Sequence, residues 1–146
     1  MSTTRDTMRR IVVGVDGSED ARRAVDWAVD EARLHGWSLE LVHGVEVGVA
    51  AASPYGSGVV LEQLQDAGRQ LLDAEVERVR ALDVTARGIL DIGSAAYALI
   101  EASRDAAMLV VGTRGHGGFH GLLLGSVSTA CVHHAHCPVV VVPPDR

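Results

Sequence analysis

The residues best suited to do chemistry crowd into one stretch, Gly112-Thr-Arg-Gly-His-Gly-Gly-Phe-His-Gly-Leu-Leu-Leu-Gly-Ser126. Its glycines follow the spacing Gly112-x2-Gly115-x9-Gly125-Ser126. The stretch leaves the apolar run Met108-Leu-Val-Val111 and enters helical spacing at Val127, Ala130, Cys131 and His134. A buried strand running through a glycine-rich loop into a helix start makes an anion site. Unpaired backbone N–H groups and the positive helix end converge on one point there. Gly112 at the strand exit lets a ligand approach the backbone with no Cβ in the way. Gly115, Gly117 and Gly118 permit the torsions that turn several N–H groups toward an anion. Ser126 is placed to cap the helix, its hydroxyl beside the N–H groups of Ser126 and Val127. The guest these parts suit is a polyphosphate, and hence a nucleotide. The competing reading is a flexible connection between strand and helix. The stretch is not a Walker A loop, since it lacks Gly-Lys-Ser/Thr, and no GxGxxG follows the first apolar run.

Other polar residues stand near this stretch in sequence or in expected position. Asp16 ends the first strand, where a carboxylate accepts from ribose hydroxyls or holds a metal; otherwise it is a turn residue steadied by the next helix. Arg114 pairs with phosphate or is simply solvated, and Thr113 sits between it and Gly112. His116 and His120 hydrogen-bond phosphate, titrate near neutrality, or lie exposed. Cys131, His133, His134, His136 and Cys137 are a dense set of soft-metal ligands. A closed site would require the chain to turn sharply around the helix end. The alternative is histidines at a negative helix terminus and cysteines filling gaps in the core. No Gly-x-Ser-x-Gly, His-Glu-x-x-His or Cys-x-x-Cys is present, so no nucleophile or catalytic metal is indicated.

These residues need strands and helices to hold them. Ile11 to Val15 reads as a buried strand ending at Asp16-Gly17-Ser18, with Ser18 as N-cap of a helix carrying Ala21, Ala24, Val25, Ala28 and Ala32 inward. Gly36 lies near its end. Ser38 to Val45 is a second strand, and Val47 to Gly58 reads as a mobile loop. A long helix follows with Leu61, Leu64, Leu71, Leu72, Val76 and Val79 on one side. Asp83 to Leu90 is a third strand, Ser94 to Arg104 a third helix and Met108 to Val111 a fourth strand. Ser126 to Ala135 is a fourth helix and Pro138 to Val142 a fifth strand. This alternation predicts an α/β domain, a doubly wound five-stranded parallel sheet with helices on both faces. Ligands bind such sheets at the strand carboxyl ends, where the winding reverses. Asp16 and the glycine-rich loop both lie at such ends.

Bulk properties agree. The 146 residues fit one domain, spanning 1–146 with a core of about 9–143, and 47% are apolar with only 3% aromatic. That core is filled by Val, Leu, Ile and Ala, as between parallel strands and helices. The net charge of −6 argues against a nucleic-acid partner. No run of about 20 apolar residues would span a membrane. The opening Met1 to Arg10 lacks a secretion signal's apolar core, and two cysteines make no disulfide framework. The expected location is cytoplasmic.

The glycine spacing, together with the opening Ile-Val-Val-Gly-Val-Asp-Gly-Ser18, resembles the ATP-binding class of the universal stress protein family. The resemblance runs from Ile11 through Val142. It includes Leu41-Val-His43, Gly112 to Gly118, Leu-Leu-Leu-Gly-Ser-Val127 and His136-Cys-Pro-Val-Val140. It implies strand order 3-2-1-4-5, the adenine nucleotide alpha hydrolase-like arrangement, with ATP across the strand carboxyl ends. By position, Gly14 and Asp16 then lie near the nucleoside and the backbone of His43 and Gly44 meets adenine. Gly112, Thr113, Arg114, Gly115, His116, Gly117 and Gly118 hold ribose and phosphates. Gly125, Ser126 and Val127 finish the cradle, and Mg²⁺ accompanies ATP near Asp16. The resemblance further implies a homodimer through the last strand, Val139, Val140, Val141 and Val142, an edge that needs covering on physical grounds as well.

The sequence departs from the family pattern at Ala107 and Met108, where an acidic then an aliphatic residue is common. Gly93-Ser-Ala95 lacks a proline. Gly44 replaces a bulkier residue, which would loosen the adenine pocket. The function implied is an ATP-bound sensor or switch in stress response, not an enzyme, with at most slow ATPase activity. The alternatives are a dimeric interaction scaffold and a cyclic-nucleotide (cAMP) binder.

Overall fold

A computed structural model of the chain describes residues 9–46, 57–114 and 124–144. The elements run β1 (Arg10–Gly14), α1 (Glu19–His35), β2 (Ser38–Val45), α2 (Ser57–Arg80), β3 (Ala86–Ile92), α3 (Ala95–Ala102), β4 (Met108–Gly112), α4 (Ser126–His134) and β5 (Val139–Val142). A 3-10 turn, Ser103–Asp105, follows α3. The strands form one five-stranded sheet, β3-β2-β1-β4-β5, and each adjacent pair is parallel. This is the expected order.

Local chemistry explains most of the boundaries. Ser18 caps α1 by accepting from the Ala21 N–H at 3.1 Å, and Asp16 Oδ1 accepts from the Ser18 N–H at 2.9 Å. Glu19 and Asp20 lie in the first turn and Arg33 and His35 in the last, as the helix dipole favours. Gly36 ends the helix in the left-handed region at φ 71°. The buried stripe of α1 is Ala21, Ala24, Val25, Ala28, Val29 and Ala32, small enough for the helix to lie close on the sheet.

Three expected boundaries move. β3 begins at Ala86 because Asp83 turns left-handed, φ 63°, to close the end of α2, whose Arg80 carbonyl accepts the Asp83 N–H at 3.0 Å. Ser94 caps α3 from outside by accepting from the Tyr97 N–H at 3.3 Å, and the α-helical part stops at Ala102. Ser57 and Gly58, assigned above to a loop, already belong to α2; the rest of that loop, residues 47–56, lies outside the described residues.

The sheet divides the core by strand alternation. Ile11, Val13, Leu39, Leu41 and Val110 pack under α1 and α2 with Val25, Leu72, Val76 and Val79. Val12, Val42, Leu109 and Val111 pack under α3 and α4 with Leu99 and Cys131. Helices therefore cover both faces, and the winding reverses between β1 and β4. At the sheet's amino end Glu40 is only 2% exposed and is held by two arginines. Arg87 Nε donates to Glu40 Oε2 at 2.7 Å, and Arg10 Nε stands 3.5 Å from Oε1. Arg10 also donates to the Ala102 and Asp105 carbonyls, tying the end of α3 to the sheet.

Candidate functional site

At the opposite, carboxyl end of the sheet a cleft opens over the reversal between β1 and β4. Gly14, Val15 and Asp16 bring the exit of β1 to it, and Gly112 and Arg114 the exit of β4. Val42 from β2, Ala95 and Leu99 from α3, and Val127 and Ser128 from α4 complete most of the wall. The lining is apolar except for one carboxylate, one guanidinium and one hydroxyl. That composition suits a flat heterocycle with a polar, anionic tail.

Five of the candidate residues meet here: Gly14, Asp16, Gly112, Arg114 and Val127. Thr113 sits just behind them. Its carbonyl accepts from the Gly125 N–H at 2.6 Å and from Ser128 Oγ at 2.8 Å, and its hydroxyl is 3.5 Å from Asp20 Oδ2. Gly115, His116, Gly117 and Gly118, with His120, lie outside the described residues.

The start of α4 differs from expectation. Gly125, extended at φ −79° and ψ 178°, is the N-cap, and no side chain serves as cap there. Ser126 is the first helical residue and is exposed. The first turn is fastened instead by Ser128, whose hydroxyl also lies 3.2 Å from the Gly125 carbonyl. The Gly125 N–H is thus committed to Thr113. The amides of Ser126, Val127 and Ser128 occupy the helix-start positions whose N–H groups have no acceptor within a helix.

His43 and Gly44 lie beside the cleft and are not part of its lining. His43 Nδ1 donates to the Val15 carbonyl at 2.7 Å, which requires the proton on that nitrogen. Its ring points to the α2 side of the sheet, where a Cβ on Gly68 would come within 2.9 Å of His43 Cδ2. A Cβ on Gly44 would meet Ala95 Cα at 2.7 Å, so this glycine lets the start of α3 press against β2. Ala95 thus occupies the space that a bulkier residue in place of Gly44 would take. Gly112 behaves alike: its Cβ would stand 2.8 Å from the Asp20 carbonyl oxygen of α1.

The soft-metal set does not gather. Cys131 is fully buried, while His133, His134 and His136 are exposed. Among the described residues no three His, Cys, Asp or Glu side chains are grouped to hold a metal. Burial, with Cys137 nearby, raises the Cys131 thiol to about 11, and burial raises Cys137 as well. Both shifts oppose the thiolate that a soft metal needs.

Sequence reasoning missed Val42, Ala95, Leu99 and Ser128. Val42 was accessible from strand alternation, two residues before Gly44 on the same face. Ala95 and Leu99 follow from the helix that opens after β3 at the same sheet end. Ser128 carried no signal beyond its place one turn into α4.

Comparison with known proteins places this geometry in context. The sequence model described as the universal stress protein family matches residues 7–143. A universal stress protein of Mycobacterium tuberculosis is 41% identical over 139 residues, covering 90% of this chain and 46% of the relative. The chain spans about half the length of the curated relatives it matches. Among solved structures, the universal stress protein UspA from Lactobacillus plantarum superposes with a TM-score of 0.79 at 24% identity, over 92% of this chain and 97% of that one. A universal stress protein in complex with cAMP superposes with a TM-score of 0.66 at 25% identity, over 94% and 98%.

Proposed function

The chain belongs to the universal stress protein family, and we propose that it is an ATP-binding stress-response protein working as a nucleotide-dependent sensor or switch. The observation that carries this reading is the cleft at the winding reversal, apolar in its lining except for Asp16, Arg114 and Ser128. In this reading adenine lies among Val42, Ala95 and Leu99, with the ribose near Gly14 and Asp16. The triphosphate runs toward Arg114 and the first amides of α4. Gly115 through Gly118 supply the remaining donors. Mg²⁺ enters as part of Mg·ATP, with Asp16 the carboxylate at hand for its water shell. No general base for an attacking water is assigned, so hydrolysis is at most slow.

The partner in this reading is a second copy of the chain. β5 ends the sheet, and its four valines are each half-buried, an apolar edge suited to pairing. A second ligand reading, a cyclic nucleotide, is favoured by the cAMP complex of the 25%-identical relative. The Gly-x9-Gly-Ser loop argues for the longer phosphate chain, since a single phosphodiester needs fewer donors.

Calorimetric titration of Mg·ATP, and separately of cAMP, into nucleotide-stripped protein tests the proposal. Micromolar ATP affinity, roughly 8 kcal/mol, that falls at least tenfold in Arg114→Ala is the expected result. Tighter binding of cAMP than ATP would transfer the site to the second reading. No binding of either would leave the dimeric scaffold.

A further inference from the structure

Three polar or charged residues are buried among the described ones: Glu40, Ser103 and Ser128. Two of them serve the far end of the sheet. Glu40 is held by Arg87 and Arg10, and Ser103 donates to the Ile100 carbonyl and accepts from the His136 N–H. Only Ser128, 3% exposed, lies at the cleft.

We propose that Ser128 is a positioning residue that clasps the two stems of the glycine-rich loop and so sets nucleotide affinity; this rests on the nucleotide reading of the cleft. Its hydroxyl shares one proton between the Thr113 carbonyl at 2.8 Å and the Gly125 carbonyl at 3.2 Å. Thr113 is the last residue before Arg114 on the outgoing stem, and Gly125 caps α4 on the returning one. The clasp therefore fixes how far the guanidinium stem stands from the amides of the helix start. Both groups must meet the same phosphate chain.

The clasp is separable from the fold. Each of its carbonyls already has an amide donor: the Gly125 N–H reaches Thr113, and the Thr129 N–H reaches Gly125 at 2.9 Å. Ser128→Ala therefore strands no buried carbonyl, and an apolar methyl replaces a hydroxyl that needed a partner. What disappears is the side-chain half of the link from the β4 exit to α4, leaving the Gly125 N–H to Thr113 bond to hold the stems alone. The ligand must then help order the stems, a cost charged against binding.

The test uses the whole chain. Ser128→Ala and Ser128→Thr are compared with wild type by ATP titration, thermal melting and amide hydrogen exchange at Gly125. Expected for Ser128→Ala is about five- to tenfold weaker ATP binding, the size of one lost hydrogen bond. The melting temperature stays near that of wild type, and the Gly125 amide exchanges faster in the free protein. Ser128→Thr keeps the hydroxyl and restores both the affinity and the slow exchange. Unchanged ATP affinity in Ser128→Ala would overturn the clasp and leave the nucleotide reading standing. A lower melting temperature with no local change at Gly125 would overturn it too, since that marks a merely structural serine. Failure of the wild type to bind ATP would bring down the nucleotide reading and the clasp with it, and shows itself before any variant is made. Should Ser128→Ala not fold, exchange in the wild type decides: ATP must slow the Gly125 amide, and no slowing refutes the proposal.

Discussion

Gly44 is the position where the structure makes its most demanding claim about a single atom. A methyl added there would stand 2.7 Å from Ala95 Cα, 2.9 Å from Ala95 N and 3.0 Å from Ala95 Cβ. Two of those three are backbone atoms of the first residue of α3, which cannot rotate out of the way as a side-chain tip can. Gly44→Ala must push the start of α3 off the sheet, an overpacking cost of about 1–3 kcal/mol. The substitution also stiffens the unfolded chain, which offsets about 0.4–1 kcal/mol. A net loss of about 1–2 kcal/mol corresponds to a melting point lower by about 2–8 °C for a chain of this size. Gly14→Ala is the control. Its methyl would meet Leu99 Cδ1 at 3.1 Å, a flexible tip with the open cleft beside it. Gain and loss nearly cancel there, and the melting point should hold within about 2 °C. Ala95→Gly should not rescue Gly44→Ala, because Ala95 Cα remains the nearest atom. Equal melting points for Gly44→Ala and Gly14→Ala, or full rescue by Ala95→Gly, would refute the close approach of α3 to β2.

Two further predictions concern charges away from the cleft. Arg87→Ala removes the main partner of Glu40, leaving a carboxylate only 2% exposed with Arg10 at 3.5 Å. A loss of about 1–3 kcal/mol is expected in chemical denaturation, smaller than for a wholly interior pair because Arg87 itself is largely exposed. Adding Glu40→Gln should recover part of it, and a double variant worse than the single one would contradict the account. On α2, Arg78 grips Glu75 through two hydrogen bonds of 2.8 Å and reaches Asp26 of α1 at 2.9 Å. The Arg78 hydrogen bonds hold the Glu75 carboxyl below its ordinary value, although burial works against them. A lowered folded-state value means the stabilisation is complete at neutral pH and is lost as acid protonates the group. Glu75→Gln should therefore cost about 0.5–1 kcal/mol at pH 7, and the gap from wild type should close below about pH 4. A gap of the same size at both pH values would show that packing, not charge, is lost.

Much of the fold was legible because its elements carry two independent signals each. α1 has both an apolar period and a capped start at Ser18, and β1, β4 and β5 are short aliphatic runs ended by glycine or proline. The boundaries that moved lacked such agreement. Asp83 and Thr85 read as strand by continuity with Val84. A left-handed residue at position 83 is set by how α2 must end, which the sequence does not display. Ser57 and Gly58 read as loop by composition, yet they form the first turn of α2.

The site was legible in outline for a different reason: parallel winding forces the exits of β1 and β4 to one place whatever their side chains. The roles of particular glycines were not legible. Gly112 read as an opening through which a ligand reaches the backbone and Gly44 as a loosening of the adenine pocket, and in the structure each also admits a neighbouring helix start, α1 at Asp20 and α3 at Ala95. A glycine required by close backbone approach looks the same in sequence whether the visitor is a ligand or the protein itself. This changes how the motif should be weighed. Its first glycine, Gly112, is explained by bringing the start of α1 against the sheet end, and that would hold in a family member with no ligand at all. The argument for a nucleotide must then rest on features the packing explains least: the Arg114 guanidinium in an otherwise mostly apolar lining, and a buried Ser128 hydroxyl joining two carbonyls that already have donors, since Asp16 also serves the start of α1. Substitutions at Gly44 and Gly112 report on the fold, and those at Arg114 and Ser128 report on the ligand. If Arg114→Ala and Ser128→Ala both left ATP binding intact while Gly44→Ala abolished it, the cleft would be binding through its shape alone, and the anionic half of the reading would be wrong.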